Sequence, residues 1–171
     1  MGTSGAKGVR NAIVFSAGFE ESSEGKELAV RLADAARRHG ITVIGPNCQG
    51  LWSVRAKAIL TYSPAATNLA HLQHAPIAIV SQSGALMVSI FNRAHDAGIG
   101  FSLCVSLGNQ SDLEICDFID YLVGDAATKA ICVYVEGFKD GARFLRSAAA
   151  CRAAGRYAPR RLRPGNRPVR P

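Results

Sequence analysis

The stretch IAIVSQSGAL (residues 77–86) decides the fold class of this chain. Its first half is a continuous apolar run with β-branched residues, typical of a buried strand, and its second half is a small polar turn that leads into a helical pattern. The same alternation recurs on both sides of it. Strands are predicted at residues 11–17, 41–45, 77–81, 101–106 and 130–136. A helix is predicted from Ser22 or Ser23 to a close on residues 37–40, and further helices at 84–97, 112–123 and 140–154. Helices that separate short apolar strands indicate an α/β fold with a parallel sheet covered on both faces.

The composition indicates a globular chain with an ordinary core. Of the 171 residues, 48% are hydrophobic and 19% are charged, which excludes a disordered or collagen-like protein. No apolar run approaches the roughly 18 to 20 residues that span a bilayer, and the first residues lead into no signal-peptide core. We therefore expect a soluble, cytoplasmic protein without a membrane partner.

The net charge of +7 is concentrated at the C-terminus. Residues 156–171 hold six arginines and no acidic residue, and the rest of the chain carries a net charge of only +1. This distribution argues against a nucleic-acid partner, because a surface that tracks phosphates would have to lie in the tail alone. Tail-borne nucleic-acid binding, with a steep salt dependence, is kept as an alternative.

The cysteines indicate neither a metal site nor a disulfide framework. Their number is odd and no CxxC or CxxH spacing occurs, so reduced and mostly buried thiols are expected, and no metal is assigned. The five are Cys48, Cys104, Cys116, Cys132 and Cys151.

The turn from Ser81 to Gly84 is the first candidate site. A strand-to-helix turn of small residues exposes backbone N–H groups at the positive end of a helix, where phosphate or another anion can bind. The alternative is that Ser83 only caps its helix. Both interpretations stay open on this motif alone.

Other candidates follow the predicted strands. The loop Gly45-Pro46-Asn47-Cys48 comes at the carboxyl end of a strand, where open α/β sheets bind ligands, although a plain turn would use the same residues. Asn109 follows a later strand. Glu136 ends the last predicted strand and is the candidate catalytic carboxylate, with a surface turn as the alternative. The four histidines lie outside the glycine-rich loops and are interpreted as structural or solvent-facing.

Four motifs, in this order, closely resemble those of the NDP-forming acyl-CoA synthetase superfamily, which includes the ADP-forming acetate–CoA ligases and the α subunit of succinyl-CoA synthetase. They are GPNCQGL (residues 45–51), IAIVSQSGAL (77–86), GIGFSLCVSLGNQSDLEICDFIDYL (98–122) and YVEGFKDGARF (134–144). The resemblance covers about residues 8 to 155. It implies the end of a CoA-binding Rossmann domain followed by a flavodoxin-like parallel-sheet domain.

The resemblance implies residues 1–55 for the CoA-binding part and 76–155 for the flavodoxin-like part. The composition indicates a linker at 56–75 and a disordered basic tail at 156–171, because neither stretch is periodic and the tail is rich in Arg and Pro. The tail is either a genuine basic tail or the product of a frame change or truncation, and both interpretations stay open. Two family features are expected outside these segments. A glycine-rich turn of the CoA domain should precede Gly8, and a phosphorylated histidine should follow Gly155, where this chain has its Arg-Pro tail. We therefore expect a piece of the family's chain that is truncated at both ends and inactive alone.

The resemblance also implies roles for the candidates. Gly45, Pro46, Asn47 and Cys48 would lie near the thioester end of CoA. Ser81, Gln82, Ser83 and Gly84 would begin the helix that stabilises the phosphohistidine, and Glu136 would contact that histidine. CoA is the implied substrate, and ADP or ATP with Mg would enter only through an ATP-grasp domain or β-type subunit as partner.

The implied reaction converts acyl-CoA, ADP and phosphate to acid, CoA and ATP. The alternative function is a non-catalytic CoA-binding module that regulates an associated acyltransferase. Sequence on either side of this stretch would separate the two: a histidine loop with an ATP-grasp domain supports the enzyme, and a neighbouring acyltransferase supports the regulator.

Overall fold

A computed structural model describes residues 2–19, 23–66 and 72–156. The predicted tail, apart from Arg156, lies outside these residues. The strands are β1 (Asn11–Ile13), β2 (Thr42–Ile44), β3 (Gly50–Ser53), β4 (Ala58–Thr61), β5 (Ile77–Ser81), β6 (Leu103–Ser106) and β7 (Ala130–Tyr134). The helices are α1 (Gly2–Ala6), α2 (Ser23–His39), α3 (Gly84–Asp96), α4 (Ile115–Gly124) and α5 (Gly141–Ala153), and a short 3₁₀ turn covers Pro64–Ala66.

The strands form two sheets. β1 and β2 pair in parallel, connected by α2. The larger sheet has the order β4-β3-β6-β5-β7, in which β5 pairs in parallel with both β6 and β7. β3 is antiparallel to β6 and to β4. The α/β class and the parallel centre of the sheet are confirmed, and β3 and β4 add antiparallel pairs that the sequence did not indicate, so the sheet is mixed.

Alternation along β5 and β6 sends side chains to two separate cores. On one face, Ile79 and Cys104 join Trp52 beneath α3, where Phe91 meets the Trp52 ring edge-on at 5.1 Å between centroids. On the other face, Val80 and Val105 pack against α4. Since both faces of the two strands are buried, they read in the sequence as continuous apolar runs.

β7 lies at the edge of the sheet and is covered on one face only. Ile131 and Val133 are half-buried against the core that α4 joins, whereas the alternate residues of this strand are exposed. They are Ala130, Cys132 and Tyr134. The expectation that the sheet is covered on both faces is therefore wrong at this strand.

Backbone hydrogen bonds join the two sheets. Asn109 N–H donates to Pro46 O at 2.9 Å, Ser111 N–H to Gly45 O at 2.9 Å, and Leu113 N–H to Val43 O at 3.1 Å. The Asp112 carboxylate accepts from Val43 N–H at 2.7 Å. We call residues 109–113 with these partners the inter-sheet latch. It holds the end of β2 against the loop that follows β6.

The latch explains why one predicted helix begins late. A helix was expected from Asp112, but α4 begins at Ile115 because the preceding residues bond to β2 instead. The segment expected as a linker, residues 56–75, carries β4, which pairs with β3 and has no long apolar run to signal it. The domain boundaries themselves stay a prediction.

Candidate functional site

The carboxyl ends of β2, β5, β6 and β7 meet at one edge of the structure. A cleft of about 350 Å³ opens there. It is lined by Asn47, Gln82, Gly108, Asn109, Gln110, Glu136 and Gly137. Four of the candidates predicted from the sequence are therefore brought together, namely Asn47, Gln82, Asn109 and Glu136.

The loop after β2 presents Asn47 and buries its neighbours. The Gly45–Pro46 peptide is cis, and Asn47 adopts φ of 57°, a left-handed conformation that asparagine tolerates. Its side chain is exposed and donates from Nδ2 to Asn109 Oδ1 at 3.2 Å. Gly45 has no room for a Cβ, which would lie 2.4 Å from Val14 O.

The Cys48 thiol does not face the cleft. It is buried, 2% exposed, and donates to Val14 O at 3.4 Å. Burial raises the pKa of this thiol, so the reactive thiolate is disfavoured at neutral pH. The geometry gives Cys48 a packing position beneath the loop rather than a position for contact with a ligand in the cleft.

The loop after β6 fits closely against the loop after β2. Gly108 has φ of 55°, and a Cβ there would lie 2.1 Å from Pro46 O and 2.3 Å from Asn47 O. Gln110 Oε1 accepts from Ile115 N–H at 2.8 Å, which fixes the loop to the start of α4. The sequence placed Asn109 after this strand but did not identify Gly108 or Gln110 as cleft residues.

The start of α3 has the geometry of an anion site and also of an ordinary cap. Ser83 is the N-cap, and its Oγ accepts from Leu86 N–H at 3.3 Å. Ser81 is fully buried and donates to Ser83 O at 2.7 Å. The N–H groups of the first helical residues, Gly84 and Ala85, have no partner within the helix and carry its positive end. The cap that Ser83 makes leaves both of them available.

Gln82 lies between this helix start and the loop after β7. Its backbone N–H donates to Tyr134 O at 3.1 Å. Its Oε1 accepts from the N–H groups of Glu136 and Gly137, and its Nε2 donates to Gly137 O at 2.7 Å. Glu136 itself is exposed, two residues beyond the end of β7. The carboxylate therefore stands at the cleft on a turn that Gln82 holds.

The cation nearest to the Glu136 turn in sequence is Lys139, whose amine donates to Gln110 O across the loops. Farther out, Arg143 of α5 forms ion pairs with the carboxylates of Glu114, the N-cap of α4, and Asp117 in its first turn. Among the described residues, no group of three or more His, Cys, Asp or Glu could hold a metal ion.

The described histidines lie away from the cleft. His39 ends α2 and its ring stands against Gly5. His95 lies near the end of α3 with its ring 5.9 Å from that of Phe91. His74 precedes β5, at the opposite edge of the sheet from the carboxyl ends, and His71 lies outside the described residues. Within the described ranges, no imidazole lines the cleft.

Residues 74–156 match the family described as succinyl-CoA ligase like flavodoxin domain. The matched segment contains β5 to β7 and α3 to α5, and so supplies three of the four loops around the cleft. In the part of the chain that the structure describes, no helix is long and apolar enough to cross a membrane.

Curated relatives extend the similarity beyond that segment. The chain is 39% identical over 145 residues to the ADP-forming acetate–CoA ligase I of Archaeoglobus fulgidus, covering 84% of this chain and 20% of that protein. It is 38% identical over 142 residues to the alpha subunit of the ADP-forming acetate–CoA ligase II of Pyrococcus furiosus, covering 82% of this chain and 30% of that one. The chain thus spans less than a third of either relative.

A solved structure agrees with these matches. The dinucleotide-forming acetyl-coenzyme A synthetase 1 of Ca. Korarchaeum cryptofilum superimposes in its apo form with a TM-score of 0.76 at 33% identity, covering 85% of this chain and 31% of that one. Its complex with phosphate and ADP gives a TM-score of 0.76 at 29% identity, covering 91% of this chain and 38% of that one.

Proposed function

From the premise that residues 74–156 belong to the family of succinyl-CoA ligase like flavodoxin domains, we propose that this chain carries the thioester and phosphate end of an acyl-CoA synthetase (ADP-forming). The complete reaction converts acyl-CoA, ADP and phosphate to acid, CoA and ATP. The observation that carries the proposal is the convergence of Asn47, Asn109 and Glu136 on one cleft at the carboxyl ends of four strands.

The loops around the cleft would bind different parts of the substrates, according to the chemistry of their residues. The N–H groups at the start of α3 favour a dianion, so inorganic phosphate would bind beside Ser83 and Gly84. The loop from Gly45 to Cys48, by resemblance, would receive the thioester end of CoA. A phosphate oxygen that attacks the thioester carbonyl forms a C–O bond, breaks the C–S bond and releases CoA as its thiolate, which leaves an acyl phosphate.

In the proposed enzyme a histidine supplied by another segment carries that phosphoryl group to ADP. Its imidazole would donate one N–H to Glu136 while its other nitrogen attacks the phosphorus of the acyl phosphate, so that an N–P bond forms, the P–O bond to the acyl group breaks and the acid leaves as its carboxylate. ADP would bind in an ATP-grasp domain or a β-type subunit, which is the proposed partner. This part of the proposal agrees with the naming of the Pyrococcus furiosus relative as an alpha subunit.

The test is an NMR titration of this chain with phosphate and, separately, with CoA. Phosphate should shift the amide signals of Ser83 and Gly84, and CoA those of Asn47 and Cys48, each with millimolar affinity or better. Chloride at equal ionic strength is the control. Shifts that avoid both loops would show that the cleft is not the site.

A further inference from the structure

Gln82 lies between the start of α3 and the turn that follows β7, and its contacts indicate what its side chain does. Gln82 is 7% exposed, and its side chain makes three hydrogen bonds, all to the backbone of Glu136 and Gly137. By resemblance it would be counted with Ser81, Ser83 and Gly84 as a phosphate ligand. The contacts of its amide group, however, are all with the protein backbone and not with the space where an anion would bind.

The hydrogen-bonding capacity of the amide is largely used. A carbonyl oxygen has two lone pairs, and Gln82 Oε1 accepts two N–H groups. One of the two Nε2 hydrogens goes to Gly137 O at 2.7 Å. An anion that drew this amide into the cleft would break these hydrogen bonds of the buried Gln82 side chain, and leaving a buried polar group unsatisfied is unfavourable.

The glutamine side chain has the donor and acceptor groups that the backbone of this turn requires. The turn offers two N–H donors and one carbonyl acceptor, so its partner must accept twice and donate once. Glutamate lacks the donor, and lysine or arginine lacks the acceptor. Packing contributes little at these two residues themselves, because a Cβ on Gly137 would meet no atom within 4 Å and Glu136 is exposed, although the flanking Val135 packs against the core.

We infer that Gln82 is a positioning residue, which fixes the Glu136–Gly137 turn to the start of α3, and that it is not an anion ligand. We call the three hydrogen bonds between Gln82 and the Glu136–Gly137 backbone the clamp. The clamp sets the position of the Glu136 carboxylate relative to the N–H groups of Gly84 and Ala85. That Glu136 serves a reacting group rests on the proposed function, whereas the clamp itself rests on the contacts alone.

The experiment measures amide hydrogen exchange and phosphate binding by NMR in the wild-type chain and three variants. Gln82→Met keeps the length of the side chain and removes its polar atoms. Gln82→Glu keeps acceptor oxygens and removes the donor. Gln73→Met makes the same change at an exposed glutamine and is the matched control.

In Gln82→Met, exchange at Glu136 and Gly137 should rise at least tenfold, and Gln82→Glu should restore part of this protection. Phosphate should still shift Ser83 and Gly84 with a Kd within about threefold of wild type, while its effect on Glu136 falls by half or more. Gln73→Met should match wild type in both measurements.

Two results would overturn the inference. One is unchanged exchange at Glu136 and Gly137 in folded Gln82→Met. The other is a loss of the phosphate response at Ser83 and Gly84 in this variant, since Gln82 would then be an anion ligand. If wild type itself bound no phosphate, the proposed function would fail, and the exchange measurement would still decide whether Gln82 holds the turn.

Discussion

At the scale of single residues, the closest approach in the site is made by Gly108. A methyl group there would collide with Pro46 O and Asn47 O in a left-handed backbone conformation. Gly108→Ala should therefore lower the free energy of unfolding by about 2–4 kcal/mol. Urea denaturation followed by circular dichroism measures this change.

Gly124→Ala is the matched control for that substitution. Gly124 ends α4, is exposed, and a Cβ there would meet no atom within 4 Å. Its replacement should be neutral or slightly stabilising, since alanine restricts the unfolded chain. Equal destabilisation by the two variants would show that the contact between the two loops is not tight.

Because the Cys104 thiol is buried, we predict that the free energy of unfolding falls in alkaline solution. Burial first, and the neighbouring Cys132 second, raise the pKa of Cys104 well above its ordinary 9.0. Since the folded pKa is raised, stability should be intact below pH 9 and fall as pH rises further, by up to about 1.4 kcal/mol per pH unit. Urea denaturation of wild type and Cys104→Ala at pH 8 to 10.5 tests this, and parallel pH profiles would contradict it.

At the scale of elements, one arginine joins the last two helices. Arg143 of α5 reaches the carboxylates of Glu114 and Asp117, and Asp120 lies 3.6 Å away, whereas Arg146 lies 3.9 Å from Asp140 on the surface. Because the Arg143 side chain is 33% exposed, solvent screens part of the attraction.

Arg143→Met should therefore cost about 1–2 kcal/mol in unfolding free energy, and Arg146→Met less than about 0.5 kcal/mol. Repeating the denaturation in 1 M NaCl should shrink the difference between the variants without abolishing it. Equal effects of the two substitutions would mean that the α4–α5 ion pairs add no stability.

The elements also show what a sequence can and cannot predict. β5 and β6 were predictable because strands buried on both faces read as apolar runs, and the cleft could be placed because parallel strands end at one edge. β3 and β4 were not, since neither shows a long apolar run, β3 depends on antiparallel pairing with the distant β6, and β4 pairs with β3. No local pattern indicated that Cys48 turns inward or that Gln82 bonds to the turn after β7.

At the scale of the whole molecule, the inter-sheet latch couples the two sheets. The Asp112 carboxylate satisfies the N–H of buried Val43 at 2.7 Å. Asp112→Ala should destabilise the chain by about 1–3 kcal/mol and speed exchange of the Val43 amide, while Asp112→Asn, which keeps an acceptor oxygen, should lose less. Thermal unfolding and hydrogen exchange measure both. Equal losses in the two variants would show that the accepting oxygen does not matter.

No histidine among the described residues lines the cleft, and we therefore predict that the chain forms no phosphoenzyme by itself. His39 and His95 lie at helix ends, and His74 lies at the edge of the sheet away from the cleft. Incubation with labelled ATP and an ATP-grasp partner should therefore leave no acid-labile, base-stable phosphate on the chain. Labelled phosphohistidine at any position would show that the active site lies elsewhere.

The long separation between the walls of the cleft has a consequence for biosynthesis. Asn47 and Asn109 bond across 62 positions, and Gln82 and Glu136 across 54. At roughly 5–20 residues per second, the ribosome needs on the order of 5 to 20 s to extend the chain from Asn47 to Gly137. The loop that holds Asn47 is therefore synthesised well before the turn at Glu136 and Gly137. A nascent chain can form the complete cleft only after Gly137 has left the exit tunnel.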